Sequence, residues 1–285
     1  MKVLVTGATG FVGRHVVTEL LHSGATVVAT SHGGPPVDSF AWHREVEYIE
    51  ADLCEKQRDY RGLFGAPDAL VHLAWARLPN YRDRFHFETN LPCSYEFIKQ
   101  MVLGGVRDVT VTGTCFEYGM ASGCLSEDRA PDPGNSYALA KDTLRRFLEE
   151  LRREHDYRLK WVRLFYLYGE GQRRDSLLEQ LKQAIANGEP SFNMSGGEQL
   201  RDYLPVTTAA RYIARICLQS RVTGIINCCS GDPISVRRLV EETARGLGAQ
   251  ISLNLGHYPY STLEPMAFWG STERLDEALS KGTEQ

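Results

Sequence analysis

The sequence predicts an α/β protein, a doubly wound parallel sheet with a smaller carboxy-terminal lobe. Three observations predict it. Over the first 165 residues, short apolar runs alternate with longer amphipathic ones, the pattern of strand–helix–strand units. The first apolar run leads straight into "TGATGFVG" and then into a helical pattern. After Tyr168-Gly169-Glu170-Gly171 the alternation loosens.

Each element follows from that periodicity. Apolar runs predict strands over 2–6, 25–30, 46–50, 69–72, 106–112 and 159–165. Amphipathic stretches predict helices over 11–22, 88–102 and 136–155. Farther on, helices are predicted over 176–186, 207–218 and 235–247, with a strand over 224–229. The sheet domain is assigned to 1–168 and the lobe mainly to 169–285, with segments of the second part returning to the core. The tail, "GHYPYSTLEPMAFWG", is irregular, and the chain shows no repeat or long linker.

The composition is that of an ordinary globular protein: 42% hydrophobic, 24% charged, net charge −4 over 285 residues. Basic residues are scattered and outnumbered by acids, which argues against a nucleic-acid partner. No apolar stretch reaches the ~20 residues of a bilayer span. Seven cysteines show no metal-ligand spacing, and Cys228-Cys229 lies in an apolar run, so reduced core thiols and no metal are expected. Met1-Lys2-Val3-Leu4-Val5 enters a fold element with no signal pattern before it, so a cytoplasmic location is expected and the sequon at Asn193 carries no weight.

Gly7, Gly10 and Gly13 lie between the first strand and the first helix. In that context Gly7 permits a tight turn, Gly10 lets the backbone approach a pyrophosphate, and Gly13 lets helix and strand pack closely. The helix start then favours phosphate charge. The sheet is therefore read as Rossmann-type, with Gly7, Thr9, Gly10, Phe11 and Val12 against a dinucleotide. The second strand ends "VVATSHGG", placing Ser31 and His32 where an acid would bind the ribose 2′-hydroxyl of NAD. Without that acid NADP(H) is preferred, with NAD(H) as the alternative, although no Arg stands there either. Asp52 and Leu53 are candidates for the adenine, and Leu73 and Ala74 for the strand end where the cofactor passes.

"NSYALAKDTLRRFLEEL" puts Tyr137 and Lys141 four residues apart on one helix face. Thr114 ends the apolar run "VTVTGT" at the sheet edge where such folds bind ligands. An ammonium beside a phenol stabilises phenolate, and a threonine hydroxyl can hold a substrate oxygen in line. Together the three suit proton exchange with an alcohol or carbonyl while a nicotinamide handles hydride.

These residues resemble the extended short-chain dehydrogenase/reductases, and more closely their nucleotide-sugar epimerase/dehydratase branch. The likeness rests on T-G-x-x-G-x-x-G at 6–13, Thr114 before a Tyr-Gly pair, and Tyr137-x-x-x-Lys141. "VRLFYLYGEGQ", "RDYLPVTTAARYI" and "GIINCCSGDPISVRRLVEE" extend it over nearly the whole chain. Tyr166, Thr208 and Ser271 depart from the residues usual at their positions. The resemblance implies Thr114, Tyr137 and Lys141 as the catalytic trio, with Tyr137 and Lys141 also lining the cofactor. It further implies Asn90 as an active-site support, and Thr114, Cys115, Phe116, Tyr166 and Arg201 facing a nucleotide sugar. A homodimer paired through helices of the sheet domain is the family habit.

Within that family, 4,6-dehydratases follow the threonine with Asp and Glu. Here Cys115 and Phe116 hold those positions, and strand alternation turns Glu117 away. A dehydratase is disfavoured. "TGTCFEYG" resembles the stretch in reductases of nucleotide 4-keto-6-deoxysugars, which serve surface-polysaccharide synthesis. The expected reaction is reduction of the 4-keto group of a dTDP- or GDP-linked 4-keto-6-deoxyhexose. An NAD-dependent 4-epimerase is the alternative, and a non-catalytic dinucleotide sensor the remote one.

Overall fold

The computed structural model of the chain describes residues 1–55 and 59–280. Its amino-terminal half reads β1 (Lys2–Thr6), α1 (Gly13–His22), β2 (Thr26–Ser31), β3 (Glu47–Glu50), α2 (Tyr60–Leu63), β4 (Ala69–His72), α3 (Leu91–Leu103), β5 (Asp108–Thr114), β6 (Gly123–Leu125) and α4 (Ser136–Glu154). The rest reads β7 (Arg158–Leu164), β8 (Tyr166–Tyr168), α5 (Leu177–Ala186), β9 (Ser191–Asn193), β10 (Leu200–Pro205), α6 (Val206–Leu218), β11 (Gly224–Cys228), β12 (Pro233–Ser235), α7 (Val236–Gly246), β13 (Ser252–Asn254), β14 (Phe268–Gly270) and α8 (Glu273–Leu279).

Seven strands form one parallel sheet in the order β11-β7-β5-β4-β1-β2-β3. Period-two alternation sends its side chains to two cores. Val3, Val5, Val27 and Val71 pack with Ala209, Ala210 and Ile213 of α6 and with Val16, Val17 and Leu20 of α1. Leu4, Val28, Leu70, Val109 and Val111 pack on the other face with Phe97 and Ile98 of α3 and Leu144 and Leu148 of α4. Both faces are thereby covered, as a parallel sheet requires. Strand order reverses beside β1, so β1 and β4 open the crevice where such sheets bind ligands.

The chain leaves this sheet after β7 to build the lobe: β12-β10-β8, the pairs β13-β9 and β14-β6, and a core of Leu178, Leu181, Phe192, Met194, Leu239 and Val240. It returns for α6, β11 and α8. Asp202, fully buried on β10, fastens lobe to sheet. Its oxygens accept from Ser230 N (2.6 Å), Ser230 Oγ (2.7 Å), Gly231 N (3.0 Å) and Gly270 N (3.2 Å).

Several expected boundaries move. β5 runs through Thr114 rather than ending at 112, α1 starts at Gly13, and the helix expected over 88–102 opens with a wide turn at His86–Asn90 before α3. The glycine turn explains the second shift. Any Cβ at Gly13 would collide with the Gly7 carbonyl, so only glycine lets α1 begin so close to β1. Gly13→Ala should lower stability by about 1–3 kcal/mol in urea denaturation. Gly246, which closes α7 with open space around it, should respond oppositely, gaining about 0.5–1 kcal/mol as Ala.

Candidate active site

The turn from β1 to α1 forms one wall of a cleft of about 340 Å³ that runs from Gly7 past Ser31 and Asp52 to Trp75 and Asn90. Gly7 stands at φ +66°, and a Cβ there would press on the Ala74 amide at 2.9 Å. No side chain caps α1 and its first turn holds no acid, so nothing negative competes for the helix start, while the Arg14 and His15 amides donate to the carbonyls of Gly10 and Val12 (3.2 Å each). Thr6 Oγ1 accepts from the amides of Leu73 (3.2 Å) and Ala74 (3.3 Å), holding the end of β4 at the turn. Those donors orient the Thr6 hydroxyl proton toward His72 Nδ1, 3.0 Å away. His72 Nε2, left as the donor, has no partner among the described residues, and His72 lines the cleft. Burial holds this imidazole neutral, its pKa pulled down to about 3. Narrow turn, acid-free helix start and unpartnered donor together fit a dinucleotide.

Where an adenosine ribose would lie, the hydroxyls chain together: Thr9 Oγ1 donates to Ser31 Oγ (3.0 Å), which meets Tyr48 OH (2.8 Å). His32 lies beyond, 3.9 Å from the carboxylate of Asp52. Asp52 also accepts from the Cys54 amide at 2.9 Å. The Arg14 guanidinium turns back onto the carbonyls of Thr9 and Gly10 and lies over the Phe40 ring.

Thr114, Tyr137 and Lys141 come together as the spacing predicts, and all are buried. Asn135 caps α4 by accepting from the Ala138 amide (2.9 Å), and the Tyr137 amide donates to the Tyr81 carbonyl (3.0 Å). The Thr114 side chain faces the Tyr137 phenol and acts to lower its proton affinity. Lys141 Nζ donates to the Thr112 carbonyl (2.8 Å) and lies 4.0 Å from the Trp75 ring centroid. One expectation changes: burial pushes the Tyr137 phenol well up, and Lys141 does not offset it. The ammonium faces Thr112 and Trp75, and burial drives its own pKa down to about 7.

Glu117 also differs from expectation. The backbone leaves β5 as a 3₁₀ turn over Cys115–Tyr118, so strand alternation no longer applies. The Glu117 carboxylate folds back under the strand end and is fully buried. It accepts from the Thr114 amide (2.8 Å), Trp161 Nε1 (3.1 Å) and Arg163 Nε (2.7 Å). Thr114 Oγ1 accepts from the Phe116 amide (3.3 Å), completing a capping box. A side chain on Gly113 would collide with both Trp161 Nε1 and Glu117 Oε1.

Aromatic rings enclose the substrate side of Tyr137. Ring centroids lie at 5.7 Å to Tyr81, 6.0 Å to Trp75 and 5.4 Å to His86. Phe116 bridges Tyr81 (4.9 Å) to Tyr166 (6.4 Å). The His86 Nδ1 accepts from Trp75 Nε1 (3.1 Å), so its Nε2 donates to the Asn80 carbonyl (3.0 Å). Asn90 brackets Ala76, donating to its carbonyl (3.0 Å) and accepting from its amide (3.3 Å). Beyond Phe116, Glu264 Oε2 accepts from Tyr166 OH (2.5 Å) and Arg201 Nε (3.0 Å). Arg201 is buried against Phe268.

Gly7, Thr9, Gly10, Ser31, His32, Asp52, Leu53 and Ala74 thus line one cleft. Phe11 does not line it, and Val12 and Leu73 pack toward the core behind the sheet. Cys115, Phe116, Tyr166 and Arg201 group around Tyr137 and Glu264. Sequence reasoning passed over Tyr81, His86 and Glu264, which irregular segments deliver without a periodic signal. Cysteine chemistry is also corrected. Cys54 and Cys93 form a disulfide that ties the loop after β3 to α3 beside the cleft, because tertiary structure brings together residues 39 apart. Cys228 and Cys229 are free and buried, as expected.

Lys141 leads to a stability prediction. Its folded value of about 7 lies below the 10.5 of a free lysine, so between those values the unfolded chain binds the proton more tightly. The side chain therefore costs stability at and below pH 7, and the cost is relieved as pH rises to 10.5. Lys141→Met should be more stable than wild type at pH 7, on the order of 1–4 kcal/mol, with the gain fading by pH 10. Urea titrations at the two pH values measure it.

Comparison with known proteins agrees with this geometry. A family profile described as "NAD dependent epimerase/dehydratase family" matches residues 3–229. The dTDP-6-deoxy-L-talose 4-dehydrogenase (NAD(+)) of Aggregatibacter actinomycetemcomitans is 31% identical over 274 residues, covering 95% of this chain and 100% of that one. The dTDP-4-dehydro-6-deoxyglucose reductase of Escherichia coli is 25% identical, over 84% of this chain and 79% of its own. Among solved structures, MoeE5 in complex with UDP-glucose and NAD superposes with a TM-score of 0.83 at 27% identity, covering 99% of this chain and 95% of its own. With its glycine turn, its Thr-Tyr-Lys trio and this full-length likeness, the chain belongs to the NAD dependent epimerase/dehydratase family.

Proposed function

We propose that the protein transfers hydride reversibly at C4 of a nucleotide-linked 6-deoxyhexose, working as a 4-ketoreductase on a dTDP- or GDP-linked 4-keto sugar. The single observation that carries this reading is the end of β5. Thr114 and Tyr137 are present, but the two residues after Thr114 are Cys115 and Phe116; the acid that follows, Glu117, is locked beneath the strand by Arg163 and Trp161, and Glu264 is held by Tyr166 and Arg201. Burial pushes the Cys115 thiol far up, so it cannot replace the missing acid. Elimination at C5 and C6 therefore has no acid–base pair, while proton exchange at one oxygen keeps all its groups. The relatives named for 4-dehydrogenation and 4-keto reduction describe the two directions of that exchange.

Gly7, Gly10 and the start of α1 would hold the diphosphate, Ser31 and Asp52 the adenosine, and Ala74 and Trp75 the approach to Tyr137. Bound there, the nicotinamide supplies or takes the hydride. In reduction the Tyr137 phenol protonates O4 while the Thr114 hydroxyl holds that oxygen in line. Lys141, charged as negative charge develops nearby, stabilises it. In oxidation Tyr137 takes the proton back. The edge-to-face Tyr81, Phe116 and Tyr166 rings oppose turning the sugar over, the step on which 4-epimerisation depends.

The adenosine end favours no single cofactor by charge. The end of β2 has no acid to repel a 2′-phosphate, the reason for preferring NADP(H), yet among the described residues no Arg or Lys lines the cleft to pair with one. The reading is that both NADH and NADPH serve. A cytoplasmic homodimer completes it, supported by Leu103, Leu139 and Phe147, exposed on α3 and α4.

Two measurements test this reading. NAD(P)H absorbance should fall stoichiometrically with a dTDP- or GDP-4-keto-6-deoxyhexose, and Tyr137→Phe should lower kcat by about 100- to 10,000-fold. Unchanged absorbance with both sugars would exclude the reductase. His32→Arg should move kcat/KM toward NADPH by about tenfold or more, because a guanidinium then meets the 2′-phosphate.

A further inference from the structure

Glu117 has no part in the proton exchange, yet few side chains in the protein are so completely engaged. Every group bonded to its carboxylate is a donor: the Thr114 amide, the Trp161 indole and the Arg163 guanidinium. Burial raises the proton affinity of this carboxyl, and Arg163 with the Thr114 and Trp161 donors opposes it; a protonated carboxyl would waste one of those bonds, so the bonding pattern is that of a carboxylate. The anion lies at the base of the 3₁₀ turn, directly below the strand end that carries Thr114. Lys141 Nζ is bonded to the Thr112 carbonyl (2.8 Å) and Glu117 to the Thr114 amide (2.8 Å), so ammonium and carboxylate are anchored two residues apart on one strand end, in a low-dielectric interior.

Resting on the reaction proposed above, we infer that Glu117 is a positioning residue. Its hydrogen bond to the Thr114 amide sets the hydroxyl against Tyr137, and its carboxylate is the counter-charge to the Lys141 ammonium anchored two residues back on β5.

The geometry supports both halves. Thr114 is held at two atoms by one turn: its amide donates to Glu117 and its hydroxyl accepts from Phe116. With that amide donating to it, the hydroxyl keeps its own proton free to donate on the side where Tyr137 stands. Gly113 keeps the space that the carboxylate and the Trp161 indole need. The charge half follows from what surrounds the pair. Tyr81 and His86 from the segment after β4, His72 from β4, and Cys115 from the turn face Tyr137 or Lys141, and none carries a fixed negative charge. Arg163 from β7 faces the carboxylate from below, with Tyr118 and Glu127 on its far side. Among these groups, only Glu117 raises the proton affinity of Lys141.

Two substitutions separate the halves. Glu117→Gln keeps an acceptor for the Thr114 amide and removes the charge, and Glu117→Asp keeps the charge and withdraws it from that amide. The first readout needs no substrate: the titration of Lys141 by NMR of lysine-labelled protein, assigned through Lys141→Met. In Glu117→Gln the midpoint should fall to lower pH, an about three- to tenfold loss of proton affinity. In Glu117→Asp it should stay near wild type. Kinetically, the alkaline limb of kcat for ketone reduction should move to lower pH in Glu117→Gln. Glu117→Asp should lose about tenfold or more in kcat with its pH profile in place and KM little changed.

Glu117→Gln leaves Arg163 without its partner, which can prevent folding. The double variant Glu117→Gln/Arg163→Met removes both buried charges, and its Lys141 midpoint answers the same question. An unmoved midpoint in whichever folded variant lacks the carboxylate overturns the charge assignment. Full kcat in Glu117→Asp overturns the assignment to Thr114. A wild type that transfers no hydride to any sugar nucleotide, while the Lys141 midpoint still shifts, overturns the proposed reaction and supports the role of Glu117.

Discussion

A carboxylate buried beneath the end of β5 organises the reacting side of the molecule. Glu117 gathers the Thr114 amide, the Trp161 indole and the Arg163 guanidinium from three stretches of chain. Burying that ion pair costs solvation that only good geometry returns, and removing one partner typically costs about 3–5 kcal/mol. β5 must therefore stop at Thr114, and the chain must turn as a 3₁₀ coil rather than continue as a strand. Gly113 is required in the same place, since no side chain fits between indole and carboxylate. Thr114 reaches the sheet edge with its amide and hydroxyl already assigned.

The cofactor side rests on a different constraint, close backbone approach. Gly7 lets β1 turn beside Ala74, Gly13 lets α1 begin against Gly7, and Thr6 holds the two strand ends together through two amides. The cleft so formed is narrow and almost without charge along its wall. Its one close carboxylate, Asp52, is engaged by the Cys54 amide, and the Cys54–Cys93 disulfide anchors that loop to α3. Burial of Tyr137 and Lys141 then raises the phenol and lowers the ammonium, each toward its neutral form. Charge is thus costly in the site and is favoured where a reaction develops it, the general logic of a preorganised site.

Function at this site also depends on what the turn withholds. With Cys115 and Phe116 after Thr114, and the acid that follows committed to Arg163, the pocket offers a phenol and a hydroxyl but no free carboxylate beside them. Glu264, the carboxylate that does approach from the lobe, is held by Tyr166 and Arg201 beyond the Phe116 ring. Aromatic walls take the place of acid–base groups around the sugar side.

By itself the sequence determined the parallel sheet, the glycine turn and the Thr114–Tyr137–Lys141 trio. Each is written in local spacing: period two in a strand, three glycines at a turn, four residues on a helix face. Family membership is legible for the same reason, because those spacings recur in order along the chain. Only the tertiary structure decided the setting of Glu117, since its partners Trp161 and Arg163 are 44 and 46 residues away and the 3₁₀ turn, not strand alternation, turns it from Phe116. It alone decided that Lys141 faces Thr112 and Trp75, that Cys54 meets Cys93, and that Glu264 reaches Arg201 across 63 residues. Such contacts join irregular segments, where no periodicity records which way a side chain points, and their energies come from burial that exists only once the sheet and lobe have closed.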